Sequence, residues 1–560
     1  MLSKVTDALG KTIPQTHQAS KFYSEFELTS DDFSIGIDDG HPIKLPIVAD
    51  DIQKLLNISH DAKFGLREDT LLDKQIRDTK EISADKLQVK CNEARLSDLL
   101  NKVRKDLGLS EGSKLTAHLH NMLIYGQGQF FKPHQDSEKL EGMVATLVIV
   151  LPFPHIGGAM LINHGDEQHK FVTENIDSQS LKCIAFYADC PHEVKKIKQG
   201  FRVVLTYNLV LENQEIEFNK YNNKELETAL ETYFEEKKLP DSEPRKLVFL
   251  LDHRYTEHSL NWHMLKGSDR DNAWMLLVAA KKLDLKPYLG LVDLHEVWDT
   301  DGDEENPELY ELIDSSTTLS YWINEHNVSL PYAGYSIPRD ELCWQIETSD
   351  LTPFETEYEG WMGNYGNTAD YWYRRAAVVL WNTSDQPALE FKYNYDAAMD
   401  NLLQMMKKPD QCEQVLEIVK KAKRYLLKSK SKSFKDLVRV ALYLKDAPMA
   451  QSLLSQFSMN LFTEGIIDEL VKLQNLFGIP WTLALLKNWR DQKSKYYRAR
   501  DIKVSIDTLI SSMIASGIDK QLVKFLFEYK LHIIKERSKD DKKSKPANLT
   551  RSLDERLDSL

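Results

Sequence analysis

The sequence predicts an α+β chain of several domains, on three observations. From Lys114 to Leu211, apolar and polar residues alternate in short runs broken by Gly, Pro, Asn and Asp, as in a β sandwich or barrel. After about residue 395, amphipathic runs of helical period succeed one another with only short breaks. The length of 560 residues calls for three or four domains at roughly 100–200 residues each.

Taken in order, residues 1–110 mix short strand-like pieces such as PheSerIleGlyIle (33–37) with helical patterns, and read as an N-terminal supporting region. Ala49 to Asn57 places Asp50 and Asp51 in a first helical turn, and Ala94 to Leu107 has apolar i, i+3, i+4 spacing. Residues 111–213 form the β core, with runs such as LTAHLHNMLIY, GMVATLVIVLPF, SLKCIAFYAD and GFRVVLTYNLVL. Residues 214–240 are charged and helix-compatible and read as a connector.

A mixed α/β accessory domain follows over 241–390, with strands expected at 246–251, 287–292 and 375–381 and a helix near 272–283. Its acidic stretch DTDGDEENPE (299–308) has Gly at the fourth place, where a calcium loop needs it at the sixth, and reads as a solvated loop. Residues 391–538 read as an all-α region without a strict repeat, and 539–560 as a disordered tail of low apolar content.

Hydrophobic residues at 42% and charged residues at 28% exclude collagen-like and wholly disordered chains. No run reaches the roughly 18 apolar residues of a membrane span, and the first twenty residues lack a signal-like apolar stretch. The expectation is an intracellular protein, cytoplasmic or nuclear, not secreted, with no membrane partner. Five scattered cysteines without a CxxC argue for reduced thiols. The formal charge of −14 is uneven: residues 401–560 carry 31 basic and 19 acidic residues, while 1–400 carry 41 and 67. That acidity disfavours nucleic acid as partner of the catalytic part. In the basic C-terminal region LysSerLysTyrTyrArgAlaArg (493–500) interleaves aromatics with charge as a single-strand surface would, but a solvated helix face is the preferred reading.

A facial metal site of two His and one carboxylate leaves positions open for chemistry, and a His-x-Asp pair supplies two of the three ligands at once. Only two such pairs occur among the 16 His: His134-Gln135-Asp136 and His164-Gly165-Asp166. The second sits in AsnHisGlyAsp between two apolar runs, which is turn chemistry, so a hairpin tip is expected there. His134 and Asp136 therefore become the candidate ligands. His192, in PheTyrAlaAspCysProHisGluVal (186–194), lies far enough along to return from a later strand. Ten residues on, Arg202 and Thr206 share a strand face and can together grip a carboxylate.

These residues resemble the prolyl 4-hydroxylase-type Fe(II)- and 2-oxoglutarate-dependent dioxygenases. The resemblance runs from Leu119 to Leu209 through LeuIleTyrGlyGlnGlyGlnPhePheLysProHisGlnAsp, ThrLeuValIleValLeuPro, GlyGlyAlaMet and PheTyrAlaAspCysProHisGluVal, in the family's order. It implies a double-stranded β-helix (jelly-roll) catalytic core with N-terminal supporting helices. It further implies His134, Asp136 and His192 as metal and catalytic residues, Arg202 as the salt-bridge partner of 2-oxoglutarate, and Thr206 and Tyr125 as further cosubstrate contacts. Fe(II), 2-oxoglutarate, O2 and, as an accessory reductant, ascorbate are the cofactors so implied. The activity implied is hydroxylation of a protein substrate with release of succinate and CO2. The alternative from another class is a non-catalytic scaffold, or an oxygen or 2-oxoglutarate sensor, that retains the fold.

In the accessory domain, ArgArgAlaAlaValValLeuTrp (374–381) echoes the strand at Arg202, and HisGluVal recurs at 295–297. A degenerate second β-helix and an unrelated α+β domain are both open. Tyr365 stands where a His would be needed, and no His-x-Asp occurs after residue 166.

Overall fold

A computed structural model describes residues 2–12, 21–37, 40–66, 69–109, 112–165, 167–174, 177, 179–212, 221–235, 244–303, 306–330, 334–343, 348, 351, 353–360, 367–427, 434–457, 467–491 and 515–529. Asp166, Tyr365, the 493–500 stretch and the 539–560 tail lie outside the described residues. The chain divides into two units, Met1–Lys238 with Arg245–Thr383, and Leu239–Pro244 with Ser384–Leu560.

The first unit begins with two antiparallel sheets that share one core. The larger has seven strands in the spatial order Tyr23–Thr29, Ser180–Tyr187, Met143–Leu151, Arg202–Glu212, Lys114–Tyr125, Lys80–Ser83 and His60–Asp61. The smaller has five: Glu167–Phe171, Met160–His164, His192–Val194, Phe130–His134 and Arg77–Asp78. Met143–Leu151 is buried at every one of its nine positions, because one face looks into the space between the sheets and the other is covered. Part of the cover is the helix Glu93–Asp106, which packs on Tyr23–Thr29 and Lys114–Tyr125 through the buried Leu99 and Val103. The Asn92 side chain caps this helix, accepting from the amides of Ala94 and Arg95. The mixed α/β character and the paired sheets accord with the expected jelly-roll core.

The rest of the unit carries a single six-stranded sheet, in the order Lys246–Leu250, Asn367–Asn382, Leu285–Asp303, Asn306–Ile323 and Tyr335–Ser336, with Glu355–Glu359 beside Asn367–Asn382. Helix Gly267–Lys282 packs against Leu285–Asp303. The two-sheet arrangement of the first core is not repeated here among the described residues. The HisGluVal and ArgArg echoes lie on strands Leu285–Asp303 and Asn367–Asn382 of this sheet.

Two placements differ from the sequence reading. The 299–308 stretch is not a free loop. Its described residues, 299–303 and 306–308, lie on the two strands of a long hairpin whose pairing runs out to Asp303 opposite Asn306; an acidic composition does not reveal that the backbone continues the ladder. Helix Lys224–Glu235, within the stretch read as a connector, buries Leu226, Ala229, Leu230, Tyr233 and Phe234. It packs with helix Leu2–Thr12, whose Val5, Ala8 and Leu9 join the same accessory core. A helix periodicity says that one face is apolar, not which core that face joins.

The second unit is helical: Gln386–Tyr393, Tyr395–Met405, Cys412–Leu426, Phe434–Leu444, Ala447–Leu454, Ile467–Phe477 and Ile479–Asp491. Phe434, Phe457 and Trp489 meet edge to face at its centre, and the Trp489 indole donates to the Leu454 carbonyl at 2.7 Å. Among the described residues no helix is long and apolar enough to cross a membrane.

Candidate functional site

Five strands build the site: β1 (Lys114–Tyr125), β2 (Phe130–His134), β3 (Met143–Leu151), β4 (His192–Val194) and β5 (Arg202–Glu212). His134 and His192 are direct cross-strand partners of β2 and β4. Asp136 follows β2 by two residues, its amide donating to the Ala188 carbonyl at 3.2 Å. One ligand atom from each of His134, Asp136 and His192 lies within 4.8 Å of the others, the one such His/Cys/Asp/Glu group among the described residues.

Each side chain is aimed by a hydrogen bond on its far side. The Nδ1 of His134 donates to the Lys132 carbonyl at 2.8 Å, and that of His192 to the Cys190 carbonyl at 3.0 Å. Both carbonyls select the tautomer whose unprotonated Nε2 is turned to the cluster, as a metal ligand requires. The Thr146 hydroxyl donates to Asp136 Oδ2 at 2.6 Å, and Asp136 Oδ1 lies 3.8 Å from His192 Nε2. Phe131 stacks on the His134 ring at 3.3 Å and Phe186 flanks His192 at 4.7 Å. Burial, reinforced by neighbouring His192, pushes the His134 imidazole down to about 3, so the ring is neutral across physiological pH. Burial alone would raise the Asp136 carboxyl; the two imidazoles and Thr146 outweigh it and hold it below its ordinary value.

The ligands open into a cavity of about 610 Å³ that also reaches Tyr125, Arg202 and Thr206. Arg202 is 1% exposed; among the described residues its Nη2 has no hydrogen-bond partner and its Nε reaches only Thr173 Oγ1 at 3.4 Å. Burial lowers its pKa to about 10, which leaves it charged at neutral pH. A buried guanidinium without an anion is costly, and a carboxylate entering the cavity would satisfy it. Gly158 makes the room: a Cβ there would stand 2.9 Å from Arg202 Cδ and 2.3 Å from Ile197 Cδ1. The Tyr125 ring lies 5.7 Å from the guanidinium. Thr206 lines the same cavity, but its hydroxyl donates to Asn121 Oδ1, a partner that the alternation argument did not foresee.

His164 is not in this group. It closes the hairpin of Met160–His164 with Glu167–Phe171, stacks on Phe22 and His253, and lies 3.9 Å from Cys190 Sγ.

Sequence spacing missed how the ligand turns are held. Gln135, between two candidate ligands, donates to the Asp189 carbonyl at 2.7 Å and accepts from Arg254 Nη1 at 2.8 Å. The Asp189 carboxylate, three residues before His192, accepts from Lys266 Nζ at 2.8 Å, the Arg254 amide at 2.9 Å and His253 Nδ1 at 3.1 Å. Although burial opposes ionisation, Lys266 and His253 hold this carboxyl well below the usual range. Both ligand turns are thereby clamped by the 253–266 segment, which no local pattern connects to them.

Two histidines and a carboxylate around one cavity, with a buried arginine beside them, are the residue set that a facial-triad site of a non-haem iron oxygenase would use. Residues 118–210 match the family model of the 2OG-Fe(II) oxygenase superfamily. The protein is similar in structure to a prolyl hydroxylase of Trichoplax adhaerens solved with a hypoxia inducible factor peptide fragment (15% identity, 37% of this chain and 91% of that one, TM-score 0.23). It is also similar to a Pseudomonas putida prolyl-4-hydroxylase (17%, 38% and 99%, TM-score 0.21) and a 2OG-Fe(II) oxygenase family oxidoreductase of Burkholderia pseudomallei (13%, 37% and 90%, TM-score 0.19). A search of curated proteins found no match.

Proposed function

We propose that this protein is an Fe(II)- and 2-oxoglutarate-dependent dioxygenase that hydroxylates a protein substrate, releasing succinate and CO2. The observation that carries the reading is the pairing of two Nε2-directed histidines and a carboxylate with a buried arginine that lacks an anion in the same cavity.

His134, Asp136 and His192 would hold iron, which when bound supplies the oxidative chemistry of oxygen activation. The chain's own residues do the rest. The Lys132 and Cys190 carbonyls keep both imidazoles in the ligating tautomer, and Thr146 fixes the Asp136 carboxylate. Arg202 would bind the distal carboxylate of 2-oxoglutarate, with Tyr125 and Thr206 completing that end of the cavity. Phe131 and Phe186 pack against the two imidazoles and hold their rings in place. The reading of the substrate as a protein rests on the resemblance of the 119–209 motifs to the prolyl 4-hydroxylase type.

Purified protein supplied with Fe(II) and 2-oxoglutarate should form succinate, slowly without a prime substrate, and retain about one iron per chain. His134→Ala should lose iron and turnover, and Arg202→Ala should lose turnover while keeping iron. His164→Ala should keep both. Absence of both iron retention and succinate in the unaltered protein would replace the enzyme by a scaffold, and metal loss in His164→Ala alone would move the triad.

A further inference from the structure

The strand Asn306–Ile323 pairs with Leu285–Asp303 along one side, but on its other side the backbone partners among the described residues lie only at 317–323, where Thr318 and Leu319 pair with Tyr335–Ser336, Ile323 bridges Ser329, and Thr317 and Trp322 accept from Ile337 and Leu330. From 308 to 316 no described strand pairs with that outer edge, and all nine residues are exposed. Four of them are large and apolar: Leu309 (42% exposed), Tyr310 (62%), Leu312 (41%) and Ile313 (56%). An exposed, apolar, unpaired edge is a template for another strand, and soluble proteins ordinarily blunt such edges with lysine, proline or a cover.

The blunting charges here are all of one sign. Glu308, Glu311 and Asp314 share the edge strand and have no cationic partner among the described residues. Glu355, Glu357 and Glu359 lie on the strand at the opposite border of the same sheet. Residues 291–380 contain 19 acidic residues, three arginines and no lysine, a net of −16 that exceeds the whole chain's −14. Of those arginines, Arg374 is taken by Asp293 and Arg375 by the Leu251 carbonyl. A second copy of the chain pairing edge to edge would bring carboxylates against carboxylates, which is unfavourable.

We infer that the 308–316 edge is a docking strand for an extended, Lys/Arg-rich segment of a partner protein, added to the sheet by backbone pairing with Leu309, Tyr310, Leu312 and Ile313 as apolar anchors. Backbone bonds supply affinity in such additions, and alternate side chains supply choice. This surface is separate from the metal cavity and does not depend on the catalytic reading.

The test uses the full chain and a labelled peptide alternating lysine with valine and threonine, beside a matched peptide with glutamate for lysine. The lysine peptide should bind, weaken with salt, and slow amide exchange within 308–316. The variant Glu311→Lys with Ile313→Lys should weaken binding about tenfold, equivalent to about 1.4 kcal/mol, with succinate formation unchanged. Equal binding of both peptides, protection elsewhere than 308–316, unaltered affinity in the double variant, or a concentration-dependent dimer held by this edge would each overturn the inference. Because the substituted positions are exposed, an unchanged circular dichroism spectrum separates lost docking from lost folding.

Discussion

The two antiparallel regions of the first unit use the same residue types to opposite ends. His192 and His295 both open a HisGluVal triplet on a strand. His192 spends its Nδ1 on the Cys190 carbonyl and leaves Nε2 directed at the cluster. His295 instead has its Nε2 2.6 Å from Asp370 and stacks flat on Trp372 at 4.6 Å. Arg202 is buried with an unpartnered Nη2, whereas Arg374 grips Asp293 through two hydrogen bonds of 2.6 and 2.9 Å and Arg375 caps the Leu251 carbonyl. What sets Arg202 apart is that its unsatisfied buried nitrogen lines a cavity into which an anion can come, whereas the guanidinium groups of Arg374 and Arg375 have partners within the protein.

That contrast can be broken most sharply at the arginines. Arg202→Ala should cut succinate formation by about 100-fold or more, since the carboxylate anchor is lost, while Arg375→Ala should leave turnover per folded molecule unchanged. Steady-state assays of both variants decide it. The next largest effect is on stability: Asp189→Asn strips the buried partner from Lys266 and His253 and should cost about 3–5 kcal/mol in urea unfolding.

The acids of this interior also differ in sign with pH. Asp189 is depressed in the folded state, so its contribution is present above its unfolded pKa of about 4 and is lost as pH falls through the lower folded value. Asp269, which accepts from the amides of Asp252 and His253, is raised by burial to about 6. Its contribution is complete below its unfolded pKa and is lost as pH rises through about 6. Asp269→Asn should flatten the fall in stability between about pH 4 and pH 6, a change of up to about 3 kcal/mol, visible as a smaller pH dependence of the urea midpoint. The smallest effect is expected at His295→Ala, about 1 kcal/mol or less, with iron content untouched; metal loss there would erase the distinction between the two regions.

Charge separates the two regions as well. The acidity of residues 1–400 was expected to surround the catalytic part, but residues 111–213 hold 11 acidic and nine basic residues, and Lys63, Arg77 and Lys139 line the metal cavity. Most of the net acidity of 1–400, −16 of −26, lies in 291–380, so bulk charge carries no information about what enters the candidate site.

Within the first core, much was legible because it is written at short range. The strand period from Lys114, the turn chemistry around His164 and the alternation that sets Arg202 on one face are local properties of the backbone. The hairpin at 299–308 was not legible, since its acidic residues resemble a solvated loop until the partner strand is seen. Thr206 shows a similar limit: alternation sets its face, and Asn121, 85 residues away, takes its hydroxyl.

By itself the sequence determined the β character of 111–213, the choice of His134 and Asp136 over His164 and Asp166 as candidates, and the helical nature of the last third. Only the tertiary structure decided which nitrogen of each histidine is free, that Arg202 Nη2 is left without a protein partner among the described residues, that Gln135 and Asp189 are clamped from 253–266, and that no described strand pairs the outer edge at 308–316. The reason is range: periodicity and turn residues act within a few positions of the chain, whereas satisfaction of a buried polar group depends on partners brought together from 60 or more residues away.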